Sequence, residues 1–102
     1  NTYQELLDAG MNRDTLLFNM GILYYNNENY QKASESFSAV DCTVFSPQQS
    51  IASCYWYSAI SSYQAANIAS AVSYTEKTIS VDSRYKTDAK RFLQYLSGLD
   101  KS

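Results

Sequence analysis

The stretch LFNMGILYYNNENYQKASESF, residues 17–37, decides the fold. With Leu16 before it, the run Leu17, Met20, Ile22, Leu23, Tyr24 and Tyr25 is apolar at helical spacings, and Asn26, Asn27, Glu28 and Asn29 then break the pattern. A helix is predicted to end there. The side-chain oxygen of Asn29 can accept a backbone N–H from the first turn of a second helix, in which Tyr30, Ala33, Phe37 and Val40 recur every three or four residues. Too few residues separate the two helices for anything but a reversal, which makes them an antiparallel hairpin.

Working outward, the next helix is opened by Ser46-Pro47-Gln48-Gln49: an N-cap serine, a proline whose missing N–H does no harm, and a glutamine at the reciprocal capping position. It is predicted to run to about Gln64, carrying Ile51, Tyr55, Ala59, Ile60 and Tyr63. Asn67 starts another with Ile68, Ala71, Val72, Thr75, Ile79 and Val81, and a last helix with Ala89, Phe92, Leu93, Tyr95 and Leu96 closes before Gly98. A short helix is expected upstream at residues 3–8, ending near Gly10. The chain is therefore expected to be all-α. It also repeats itself. Leu17-Phe18-Asn19-Met20-Gly21 overlays Tyr55-Trp56-Tyr57-Ser58-Ala59, and Tyr30-Gln31-Lys32-Ala33 overlays Ile68-Ala69-Ser70-Ala71, both at an offset of 38 residues.

The 102 residues fit one domain with one core, and 45% hydrophobic against 18% charged residues argue for packing rather than disorder. No apolar stretch approaches the roughly 20 residues of a membrane-spanning helix, so no membrane insertion is expected and the chain reads as a soluble domain. Because it opens on Asn1 rather than methionine, it reads as a processed protein or a segment of a longer one. Up to residue 50, six carboxylates face two cations; beyond it, six cations face four carboxylates. That polarity, with a formal net charge of −2, argues against a nucleic-acid partner, which calls for a basic surface. The cluster Lys86, Lys90 and Arg91 reads as a solvated helix face.

The chain has no histidine, which removes Ser-His-Asp and Cys-His catalysis and, with only Cys42 and Cys54 present, the usual zinc sites. No cofactor or metal is expected. The two cysteines can be a disulfide in an exported chain or, on the plainer reading, two small buried hydrophobes, and they fix no compartment. The carboxylate pairs Glu28 with Glu35 and Asp82 with Asp88 fall on turns and outer faces, as solvated surface rather than acid/base machinery. An enzyme is not expected.

The doubled helix pair resembles the tetratricopeptide repeat family, whose unit is about 34 residues of helix, turn and helix; the excess falls in residues 43–47. The first unit matches at Leu17, Gly21, Tyr24, Tyr25, Tyr30, Ala33 and Phe37. The second keeps Ala59 for the glycine and Ala71 for the alanine, has Ser83 for the closing proline, and has Ser62 and Thr75 where large residues are usual. Gly21 with Ala33, and Ala59 with Ala71, are read as close-contact points within each pair. The resemblance implies an N-terminal helix and loop (1–13), repeat 1 (14–47), repeat 2 (48–85) and a capping helix (86–102), stacked as a short right-handed superhelix.

By the same resemblance, the first helix of each unit lines a concave groove. Its residues would be Thr15, Phe18, Asn19, Ile22 and Asn26 from unit one, and Trp56, Tyr57, Ile60, Tyr63 and Gln64 from unit two. An aromatic and apolar groove edged by amides suits an amphipathic helix or an apolar peptide. The plainer reading is that Trp56 and Phe18 pack on one another or on the terminal helix. Thr15, Phe18, Ser53 and Trp56 stand where some family members place the groups that clamp a chaperone's terminal carboxylate, so that ligand is not expected. The expected function is a non-catalytic module that binds a peptide or helix of a partner protein. The alternative is an assembly domain that stacks on another copy, as a homo-oligomer, or on adjacent repeats.

Overall fold

The computed structural model describes residues 13–45 and 48–100. The helix expected at residues 3–8 and the Ser46–Pro47 opening lie outside the described residues. Within them the chain forms α1 (Arg13–Asn26), α2 (Tyr30–Ser38), a 3₁₀ turn (Cys42–Val44), α3 (Gln48–Gln64), α4 (Ile68–Ser80) and α5 (Lys86–Asp100), with no strand. The fold is all-helical, and no helix among the described residues is long and apolar enough to cross a membrane.

The α1–α2 and α3–α4 turns are built alike, bond for bond. Asn29 N–H donates to the Tyr24 carbonyl (2.9 Å) and Glu28 N–H to that of Tyr25 (3.0 Å); 38 residues on, Asn67 donates to Ser62 (2.8 Å) and Ala66 to Tyr63 (3.0 Å). These paired bonds satisfy the last carbonyls of the outgoing helix and put the residue before the asparagine in the left-handed region. Glu28 has φ 62° and Ala66 φ 65°. Neither is a glycine, so each turn carries a strain of about 1 kcal/mol. The asparagines then open the incoming helices: Oδ1 of Asn29 accepts from Lys32 N–H (3.4 Å) and Oδ1 of Asn67 from Ser70 N–H (3.2 Å). One residue closes one helix and starts the next, which enforces the reversal.

Each helix packs on its neighbours in the chain, and α1 also touches α3. The body measures 47 × 27 × 17 Å, thin enough for about two layers of helix. Ala33, Ala59 and Ala71 are fully buried at the helix contacts. Gly21 is buried too, but against the ring of Phe37. Ser62 and Thr75, at positions where large side chains were expected, are themselves fully buried. Their hydroxyls are accommodated locally: Thr75 Oγ1 donates to the Ala71 carbonyl (2.6 Å), and Ser62 Oγ meets Ser34 Oγ across the α2–α3 contact (3.4 Å).

Two readings are corrected. Gly98 does not end the last helix, which continues through it to Asp100. Glycine weakens a helix interior by only about 1 kcal/mol, and here the surrounding residues outweigh it. The cysteines are not free thiols: Cys42 and Cys54 form a disulfide with Cα atoms 5.6 Å apart. The 3₁₀ turn delivers Cys42 to α3, because Asp41 N–H is held by Asp14 Oδ1 (3.0 Å) and Thr43 N–H by Asp41 Oδ1 (3.0 Å).

Candidate binding cleft

The contact between α1 and α3 leaves an open cleft of about 440 Å³, with Thr15, Phe18 and Ile22 on one wall and Ser50, Ser53 and Tyr57 on the other. Phe45, from the linker after the 3₁₀ turn, and Arg84 and Tyr85, from the turn before α5, complete it. The apolar end is a cluster of rings: Phe18 lies 5.7 Å from Phe45, 6.1 Å from Tyr57 and 5.6 Å from Phe37, mostly edge-on or tilted. Such rings present rigid apolar walls at little entropic cost.

The other end is polar. Ser53 Oγ donates to the Tyr85 hydroxyl oxygen (3.1 Å), and Arg84 Nη2 donates to the same oxygen (3.0 Å) while its guanidinium sits 5.0 Å over the Tyr85 ring. Both bonds favour the phenolate; led by that from Ser53, they hold the Tyr85 hydroxyl below its ordinary pKa against the opposing effect of burial. The Arg84 guanidinium is raised by its bond to Tyr85. This arrangement can bury apolar side chains at one end and donate hydrogen bonds at the other.

Of the ten groove residues read from the sequence, Thr15, Phe18, Ile22 and Tyr57 meet in the cleft. Trp56 and Tyr63 turn instead toward α5. Trp56 stacks on Tyr85 (6.2 Å) and meets Phe92 edge-on (5.7 Å), while Tyr63 packs on Phe92 (5.4 Å) and shares a hydroxyl hydrogen bond with Tyr95 (2.8 Å). This is the plainer reading for Trp56. Ile60 is half-buried outside the cleft, and Asn19, Asn26 and Gln64 are exposed on α1 and α3. The Tyr25–Tyr57 pair (6.3 Å) and the Tyr63–Tyr95 pair (5.8 Å) are the same two positions one 38-residue step apart.

Sequence reasoning missed Phe45, Ser50, Arg84 and Tyr85 as cleft residues and weighed Ser53 only for a clamp. The one available signal was an aromatic at 45 inside a linker treated as a spacer. Compared with protein-family models, curated proteins and solved structures, the chain matches none.

Proposed function

We propose that this domain is a non-catalytic protein-interaction module that holds a peptide or helix of a partner protein in the cleft between α1 and α3. The arrangement would be that of two tetratricopeptide-like units in a short right-handed superhelix, with α5 as the capping helix. The observation that carries the reading is the cleft itself, whose ring-lined walls come from corresponding helices of the two sequence repeats. The outward side of α5, with Thr87, Lys90, Arg91 and Gln94 exposed, supports a capping role, since a terminal helix needs a polar outer face.

Thr15 gives a clean test, being exposed while lining the cleft. A Thr15→Trp variant fills the cleft from its wall without touching the core. Partner peptides selected on the wild-type domain should lose binding to it while circular dichroism is unchanged; undiminished binding refutes the reading.

A second reading, assembly by stacking on another copy or on adjacent repeats, is favoured by Leu23. It is 62% exposed on α1, whereas its counterpart 38 residues on, Ser61, is fully buried in α3. Sedimentation over a range of concentrations tests it, and a strict monomer removes self-stacking.

A further inference from the structure

Phe45 walls the apolar end of the cleft but belongs to no helix: it stands between α2 and α3, half-buried, with its ring 5.7 Å from that of Phe18. The 3₁₀ turn before it holds its own shape. Thr43 N–H donates to Asp41 Oδ1 (3.0 Å), Val44 N–H to the Asp41 carbonyl and Phe45 N–H to that of Cys42 (both 3.3 Å). Those bonds fix the turn but not its seat on α3. Thr43 and Val44 are exposed, so only Cys42 of the turn's residues is buried, and it is buried as half of the disulfide to Cys54 in α3. The bond from Asp41 N–H to Asp14 Oδ1 (3.0 Å) leads to α1 instead. The bridge is therefore what seats Phe45 on α3. With Cys54 fully buried and Cys42 only 3% exposed, a bridge once formed is out of a reductant's reach in the native fold.

We infer that the Cys42–Cys54 bridge is a one-way redox gate on the cleft: a chain that folds with the pair oxidised gains the Phe45 wall and binds, and one that folds with the pair reduced lacks that wall and binds weakly. The inference rests on the peptide-binding reading and adds the condition under which the site becomes competent. The oxidant is a small-molecule disulfide such as oxidised glutathione. One cysteine thiolate attacks it, releasing one glutathione and leaving a mixed disulfide; the other thiolate then displaces the second glutathione, and the two released thiols carry away the pair's two protons and two electrons. Oxidising compartments drive the pair closed, whereas a reducing cytosol holds it open.

The test compares the oxidised domain with domain unfolded in urea and dithiothreitol and refolded by dilution with the reductant kept. The probe is a set of peptides selected on the oxidised domain from a displayed random library. Reduction should weaken binding about tenfold or more, as expected when one aromatic wall no longer packs on the ligand, and oxidised glutathione should restore it. Phe45→Ala in the bridged domain should show the same loss, and reducing that variant should cost nothing further. Equal binding by the oxidised and reduced wild type overturns the gate while the groove reading stands. A further loss on reducing Phe45→Ala overturns it as well, because the bridge then acts on the whole fold and not through this wall. Where no peptide binds either form, the peptide-binding reading falls, and the gate is judged by nuclear Overhauser contacts between the Phe18 and Phe45 rings: their disappearance on reduction supports it, and their persistence overturns it.

Discussion

Gly21 lies under the ring of Phe37, so close that a β-carbon on it would stand 2.6 Å from Phe37 Cε1 and 2.7 Å from Cζ. The ring cannot step aside, because Phe37 is fully buried with Phe18 at 5.6 Å and Tyr57 stacked at 6.1 Å. Gly21→Ala gains helix propensity of about 1 kcal/mol but overpacks this contact. The expected net effect is a loss of about 1–3 kcal/mol, measured by urea denaturation, together with displacement of the rings that wall the cleft. A Gly21→Ala domain as stable as wild type would mean that the contact is looser than described.

The opposite sign is expected at the turns. Ala66 occupies left-handed backbone at φ 65°, where a β-carbon is penalised and glycine is not. Ala66→Gly should therefore stabilise the domain by about 0.5–1 kcal/mol, net of the extra freedom glycine gives the unfolded chain. Thermal unfolding followed by circular dichroism reads the change. Glu28→Gly at φ 62° should behave alike, the two effects adding because they lie in separate turns.

These turns show why the fold was legible. Asn29 and Asn67 carry their capping chemistry in their own side chains, and the 3.6-residue pattern on either side is local, so helix order and reversal could be read without tertiary knowledge. The cleft was half legible. Thr15, Phe18, Ile22 and Tyr57 were implied by the repeat resemblance, but Phe45, Arg84 and Tyr85 sit in linkers, whose paths depend on the disulfide and on side-chain bonds such as Ser53 to Tyr85. No periodicity encodes those. Trp56 shows a related gap: the resemblance assigns it a face of α3, but nothing local in the sequence says that Tyr85 and Phe92 pack on it there.

Ser61 Oγ is buried with no hydrogen-bond partner among the described residues, unlike Ser58 Oγ one turn earlier, which donates to the Cys54 carbonyl at 2.7 Å. A desolvated, unpaired hydroxyl is a cost that a methyl group avoids. Ser61→Ala should raise stability by about 1 kcal/mol in denaturant melts, whereas Ser58→Ala should not. A loss at Ser61 would reveal a partner for its hydroxyl.

The Cys42–Cys54 bridge, both residues buried, ties the 3₁₀ turn and its following Phe45 to α3. Closing a loop of this length removes unfolded-chain entropy worth about 3 kcal/mol. Native protein should resist thiol reagents and mild dithiol, and the Cys42→Ala, Cys54→Ala double variant should melt at lower temperature by that amount of stability. It should also bind cleft peptides more weakly, since the Phe45 wall loses its anchor. Rapid reduction of the native fold would place the sulfurs nearer the surface than they are.

The tyrosines supply a titration signature. Tyr25 is raised above its ordinary 10.0 by burial, then by the neighbouring Tyr30 and Tyr57, and Tyr63 is raised by its hydrogen bond with Tyr95; Tyr85 is lowered by Ser53 and Arg84. For the raised pair, the fold favours the neutral phenol, so their contribution is complete below the unfolded value and is lost as pH climbs through the folded one. For Tyr85 the fold favours the phenolate, and its contribution appears only as pH rises past the lowered value. Tyr85 should therefore ionise before Tyr25 and Tyr63, and Tyr85→Phe should delete that earlier step from the phenolate absorbance. Tyr25→Phe should instead remove a late-titrating phenol and make the fold lose less stability at alkaline pH, since its ionisation no longer opposes folding. Loss of a step as late as that of Tyr25 in Tyr85→Phe would show that the two hydrogen bonds to its oxygen do not persist in solution.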